Sequence, residues 1–328
     1  MRSTCSSCAT GSPSTPVTTE SPPTAAVQAG PGRAAVLGHP IRHSLSPVLH
    51  RAAYRALGLD EWTYEAFDVA GDQLAAFLAR ERGWSGFSLT MPLKAIALDL
   101  ATHVDPLARL TGGANTLTPT PDGSLAATNT DVDGIAAALR EAGATATAMD
   151  LAPAGGLAPA ATVLGSGATA ASAVAALASG GIAPIEVWAR HPERAAHLPT
   201  VAQSCGATAT VRGVTPGQAA PQTPIVIATL PPGAADPYAD VGVADAGGRV
   251  LLDVAYDPWP SRLARAWARA GGTVIPGLVM LLHQAARQVE AMTGLPAPIG
   301  AMRTALEGVR PGGTDIVRGH GEWPPWVN

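Results

Sequence analysis

Short apolar runs alternate along this chain with stretches whose apolar residues recur at helical spacing. Ala34-Ala35-Val36-Leu37-Gly38 reads as a first strand, closed by Gly38 and Pro40. Ser46 and Pro47 then open a helix, Ser46 as N-cap and Pro47 as first residue, with Leu49, Ala53 and Leu57 on one apolar face until Gly58. Residues 63–69 read as a second strand, 72–80 as a helix, and 86–90 as a third strand. Pro92 begins the next helix, which Leu93, Ile96, Ala97 and Leu100 extend. A further strand at 125–128 leads into a helix that runs to Glu141 and stops at Gly143. After a loose Ala/Gly/Pro segment at 148–159, read as an interdomain connection, strands at 161–164, 185–188, 225–229 and 250–256 continue the pattern. Residues 277–292 form a long helix with Leu278, Leu281, Leu282, Ala285 and Val289 on its buried face and Gln284 off that face. Strand alternating with helix predicts an α/β chain with parallel sheets, and 328 residues allow about two domains.

The ends of the chain break this rhythm. Residues 1–32 are rich in Ser, Thr, Pro and Gly and are expected to be a disordered tail; 311–328, with Gly, Pro and Trp but no periodicity, are expected to be a flexible one. Cys5 and Cys8 form a C-x-x-C without a second pair to complete a zinc site or a strand to present a redox motif, so they read as incidental. Cys205 reads as a small, at least half-buried side chain.

Composition supplies a large core, 47% apolar residues against 14% charged. A net charge of −4 without a basic cluster argues against nucleic acid or an anionic membrane as partner. There is no apolar run of about eighteen residues such as a spanning helix needs. With no apolar core of a secretory signal, the expected compartment is the cytoplasm.

Lys94 is the one lysine among 21 basic residues. Arginine stays charged at any working pH, whereas an amine can give up its proton, so the exception points to a titratable group. Its place in the first turn of a helix, where the dipole disfavours a cation, points the same way. Asp131 and Asp133 both stand at the start of a later helix, and a cap needs only one of them, which leaves a carboxylate for chemistry. Ser44 and Ser46 place two hydroxyls beside the free amides of a helix start, a setting for a small anion such as a carboxylate. Gly165-Ser166-Gly167-Ala168-Thr169-Ala170 follows an apolar strand and opens an Ala-rich helix, the context a dinucleotide fingerprint requires. At the end of the next strand, Ala189-Arg190-His191-Pro192-Glu193-Arg194 offers no acid for ribose hydroxyls but two arginines four apart, which fits the 2′-phosphate of NADP.

Taken together the motifs resemble those of the shikimate dehydrogenase family, over roughly residues 34–306. They are Ser44-Leu45-Ser46-Pro47, Ser88-Leu89-Thr90-Met91-Pro92-Leu93-Lys94, Gly113-Ala114-Asn115-Thr116, Asn129-Thr130-Asp131, Gly165-Ser166-Gly167-Ala168, Asp253-Val254-Ala255-Tyr256-Asp257-Pro258 and Gly277-Leu278-Val279-Met280-Leu281-Leu282-His283-Gln284-Ala285, in that order. The resemblance implies NADPH-dependent reduction of 3-dehydroshikimate to shikimate. It implies Lys94 and Asp131 as the catalytic pair, Ser44, Ser46 and Tyr256 on the substrate carboxylate, and Thr90, Asn115, Asp131 and Gln284 on its ring oxygens. The cofactor residues would be Gly165, Ser166, Gly167, Ala168, Arg190, Arg194 and Gly277. The implied architecture is a substrate domain at 33–131, a Rossmann-type NADP domain at 132–276 and a helical return at 277–310, in a monomer or homodimer. Quinate or aminoshikimate dehydrogenases would share nearly all of these residues; an idle NADP-binding sensor would be expected to lose the Lys94 and Asp131 pair.

Overall fold

The computed structural model describes residues 31–144, 160–215, 217–310 and 312–318. Cys5, Cys8, nearly all of the segment 1–32, the connection at 148–159 and the last ten residues lie outside the described residues.

The first sheet forms around β1 (Arg33–Gly38), whose side chains are buried after the first residue. Ala34 and Val36 face one apolar layer while Ala35 and Leu37 face another, as a strand covered on both sides must. β1 lies between β2 (Thr63–Asp68) and β3 (Gly86–Leu89), parallel to both. With β4 (His103–Val104), β5 (Thr116–Pro119) and β6 (Leu125–Thr128) the order is β2-β1-β3-β5-β6-β4. The parallel arrangement read from the alternation holds for β1 to β3. β5 and β6 add an antiparallel section, because a tight turn held by the Asp122 side chain joins them as a hairpin.

Helices α1 (Ser46–Ala56), α2 (Leu74–Arg80), α3 (Leu93–Leu100), α4 (Pro106–Thr111) and α5 (Asp131–Glu141) complete this half and lead out of it. One expectation is corrected here: Ser46 is not the cap of α1 but its first residue, with Leu45 at the cap position and Pro47 inside the first turn. The Ser46 amide instead donates to Ser44 Oγ at 3.4 Å.

The second sheet is parallel throughout, in the order β12-β11-β10-β7-β8-β9. It comprises β7 (Ala161–Leu164), β8 (Ile185–Ala189), β9 (Ala209–Gly213), β10 (Ile225–Ala228), β11 (Val250–Asp253) and β12 (Thr273–Pro276). α6 (Ala168–Ser179), α7 (Leu198–Ser204), α8 (Asp236–Val241) and α9 (Arg262–Arg269) connect the strands. β11 stops at Asp253, short of the expected Tyr256, since the Asp253 carboxylate accepts from the Ala255 amide at 3.1 Å and from Ser261 Oγ at 2.5 Å and turns the chain.

α10 (Gly277–Thr293) and α11 (Ile299–Val309) carry the chain back to the first sheet, where Leu282, Ala285, Val289, Met302 and Leu306 share a core with Val36, Leu49 and Tyr54. On the way α10 crosses α5 at Gly134, where a Cβ would stand 2.8 Å from both Gln284 Cβ and the Met280 carbonyl oxygen. The expectation of a flexible end is corrected for 312–318: Val317 pairs with Val274 by two backbone hydrogen bonds of 2.8 and 3.0 Å and is buried. A β-branched residue beside an open sheet edge is enough to continue it. Among the described residues, no helix is long and apolar enough to cross a membrane.

Candidate active site

Each sheet has a point where the strand order reverses, and loops at the carboxyl ends of the strands open there into a crevice. In the first sheet this point lies between β1 and β3, which deliver the Ser44–Ser46 loop and the segment from Thr90 to Lys94. In the second it lies between β7 and β10, which deliver Gly165 and Thr229. A cavity of about 730 Å³ joins the two, lined by Thr90 and Lys94 from the first and by Gly165 to Ala168, Arg190 and Arg194 from the second.

Lys94 sits in the first turn of α3 with 19% of its side chain exposed, and Nζ donates to Asp131 Oδ2 at 2.5 Å. Of the two carboxylates at the start of α5, Asp131 is therefore the one turned to the amine. Its own amide donates to Asn129 Oδ1 at 3.0 Å, and Asn129 Nδ2 reaches Ser172 on α6 at 3.0 Å, tying this corner to the second half of the molecule. Asp133 points away, near Arg287, and burial raises its carboxyl above the usual range. The other oxygen of Asp131 accepts from Asn115 Nδ2 at 2.8 Å, and the same amide nitrogen reaches Gln284 Oε1 at 3.0 Å. Asn115, Asp131 and Gln284 are all buried, so water is not a ready substitute for these partners. Gln284, placed off the apolar face of its helix by spacing alone, is covered because that side of α10 lies against α5.

Ser46 is buried and Ser44 half-buried at the start of α1. Tyr256 is half-buried, and its phenol is raised by burial. A contact of 3.4 Å between His43 Nδ1 and Asp257 Oδ2 draws the serine loop and the tyrosine loop toward each other. None of Ser44, Ser46, Tyr256 and Gly277 lines the cavity itself. Gly277 opens α10, and a Cβ there would stand 2.3 Å from the Val254 carbonyl oxygen.

At the second sheet, Gly165 adopts φ +129°, in the region that favours glycine, and a Cβ would collide with Thr229 Oγ1 at 2.3 Å. The Thr229 hydroxyl is held there because it donates to the Leu164 carbonyl at 2.8 Å. The turn thus brings the amides at the start of α6 to the cavity, where a diphosphate would be bound by N–H groups and the helix dipole. Arg190 and Arg194 are exposed at the rim, beside Trp188 and Tyr238.

Sequence reasoning missed Tyr64, Gln288 and Thr116 as members of the site's surroundings. Gln288 is 1% exposed and bonds to Ser88, Asn115 and Thr116. A signal for it existed: it lies four residues after Gln284, one turn along the same helix face.

Comparison with known proteins fits this geometry. A family model described as the shikimate dehydrogenase substrate binding domain matches residues 36–117, and one described as the shikimate 5′-dehydrogenase C-terminal domain matches 277–307. A shikimate dehydrogenase (NADP(+)) of Rubrobacter xylanophilus is 35% identical over 279 residues, covering 83% of this chain and 94% of its own. Another, of Halobacterium salinarum, is 38% identical over 278 residues, covering 83% and 97%. The crystal structure of Mycobacterium tuberculosis shikimate dehydrogenase superposes with a TM-score of 0.72 at 42% identity, covering 85% of this chain and 100% of that one. That of the Thermus thermophilus shikimate 5-dehydrogenase in complex with NADP(H) and shikimate superposes with a TM-score of 0.68 at 33% identity, covering 84% and 99%.

Proposed function

Because the chain belongs to the shikimate dehydrogenase family, we propose that it catalyses the reversible, NADPH-dependent reduction of 3-dehydroshikimate to shikimate, an oxidoreductase step of aromatic amino-acid biosynthesis. The observation that carries this reading is the Lys94–Asp131 contact beside a cavity that Lys94 lines together with Arg190 and Arg194. An idle binding protein would have no reason to keep that pair.

The residues present fit the cofactor. Gly165 makes the tight turn, Gly167 and Ala168 present backbone amides for the diphosphate, and the two arginines at the rim suit a 2′-phosphate. When bound, NADPH supplies the hydride that goes to the ring ketone. Lys94 donates the proton to the oxygen that becomes the hydroxyl, and takes it back in the reverse direction. Asp131 holds the amine on one oxygen and, together with Asn115 and Gln284, orients the ring hydroxyls. Ser44, Ser46 and Tyr256 take the carboxylate. In domain terms, 33–131 with the returning helices 277–310 serves the substrate and 132–276 the cofactor.

Initial rates with shikimate and with quinate, each with NADP and with NAD, test the proposal. Shikimate with NADP should give the highest kcat/KM; a higher value with quinate, or equal turnover with NAD, would overturn the assignment of substrate or cofactor respectively.

A further inference from the structure

A row of buried side chains leads to the catalytic corner from below. The Tyr64 hydroxyl donates to Ser88 Oγ at 2.7 Å, and Ser88 Oγ donates to Gln288 Oε1 at 2.8 Å. Gln288 Nε2 donates to Thr116 Oγ1 at 3.0 Å, and Thr116 Oγ1 donates to Asn115 Oδ1 at 2.9 Å. Asn115 Nδ2 then donates to Asp131 Oδ1 at 2.8 Å. Every donor in this row points toward Asp131. No member is more than 4% exposed, so the bonds polarise one another in one direction and water does not compete.

The direction matters at Asn115. Its Oδ1 accepts from Thr116 Oγ1 and from the Thr130 amide at 2.9 Å, which turns Nδ2 toward Asp131 and Gln284. A flipped amide would set Oδ1 against the Asp131 carboxylate, two acceptors facing each other. Gln288 Nε2 also donates to the Asn115 carbonyl at 2.9 Å, so it holds both the backbone and, through Thr116, the side chain of that residue. The Tyr64 end reaches the other substrate group, since the Ser46 hydroxyl also bonds that phenol.

We propose that Gln288 and Thr116 are positioning residues of the reaction, which fix the Asn115 amide so that it orients Asp131 and the substrate ring. This rests on the reading of Lys94 and Asp131 as the acid–base pair, which needs its own control. Misplacing a group at a reacting centre costs rate out of proportion to the movement.

The test measures kcat, KM for shikimate, KM for NADP and melting temperature in four variants: Gln288→Met, Thr116→Val, Thr116→Ser and Tyr64→Phe. Thr116→Val and Gln288→Met should lower kcat/KM for shikimate by about fivefold or more while KM for NADP stays within about twofold. Thr116→Ser keeps the hydroxyl and should return most of the lost rate. Tyr64→Phe, at the end of the row farthest from Asp131, should lower kcat least. Because they break one row, Gln288→Met and Thr116→Val combined should lose less than the product of their separate effects. Variants that melt lower but turn over as the parent does, or Thr116→Ser as impaired as Thr116→Val, would overturn the proposal. If Gln288→Met does not fold, the two Thr116 variants decide by themselves. Lys94→Ala, assayed in parallel, separates the two failures: an active Lys94→Ala removes the site reading, whereas an inactive one beside unaffected row variants removes only the positioning role.

Discussion

Lys94 pairs with a buried carboxylate, and the proposed mechanism asks it also to release a proton, two demands that arginine cannot meet together. Lys94→Ala should lower kcat by about 10² or more with a smaller effect on KM for shikimate, as loss of a positioned proton donor does. Lys94→Arg keeps the charge but holds its proton near neutral pH, so turnover should stay as low as in the Ala variant; a rate near that of the parent would make the role electrostatic. At the cavity rim, replacing Arg190 and Arg194 together by alanine should raise KM for NADP by about tenfold or more and leave KM for NAD nearly unchanged, because charge-assisted contacts to a phosphate are lost for one cofactor only. Steady-state kinetics with both cofactors reads this directly. Lys94, Asp131 and the arginines could be singled out in the sequence as candidates because uniqueness, surplus and the absence of an acid are local signals; the structure adds that Lys94 meets Asp131 and lines one cavity with both arginines. The row through Gln288 was not legible there, since its members come from five separate elements, β2, β3, β5, α5 and α10, and meet only when α10 returns to the first sheet.

The crossing of α5 and α10 is the element on which the site depends. Asp131 starts one helix and Gln284 lies on the other, and Gly134 sets how near they come. Gly134→Ala should therefore destabilise the protein by about 1–3 kcal/mol through overpacking, lower its melting temperature and raise KM for shikimate by moving Gln284. A variant with the parent's melting temperature and KM would show that the helices part without consequence. Most strands and helices could be read from apolar spacing, since burial on both faces of β1, β7, β10 and β11 leaves unbroken apolar runs. β4, β5, β9 and β12 were missed for the opposite reason. They are short, or lie at or near an edge of a sheet, and their Thr, His and Arg positions make no apolar run. The pairing of Val317 with Val274 escaped in the same way, one residue in a stretch of turn-forming composition.

At the scale of the whole molecule, two buried groups set opposite trends of stability with pH. His50, stacked on Tyr64 at 4.0 Å, is held by burial down to about 4 from 6.5. The unfolded chain takes up that proton first as pH falls, so stability present above pH 6.5 is lost toward pH 4, about 3 kcal/mol in all. Asp253 is pushed by burial up to about 6 from 3.8, so the folded state keeps its proton longer as pH rises and stability is lost from pH 3.8 to 6 by a similar amount, about 3 kcal/mol. The two offset each other over the same window. Relative to the parent, His50→Phe should gain melting temperature as pH is lowered from 6.5 to 4, and Asp253→Asn should gain it as pH is raised from 4 to 6; parallel curves for parent and variant would show that the group does not titrate differently on folding. The single lysine has a last consequence for the surface as a whole. With every other side-chain cation an arginine, reagents that attack amines find no side-chain target except the one paired with Asp131. Acylation of that side chain should register as an added mass on the peptide that carries Lys94, separate from any label on the N-terminal amine, inactivate the enzyme one for one, and be slowed by shikimate, so an ordinary labelling reagent becomes a titrant for functional sites; a labelled lysine in a fully active sample would deny it that use.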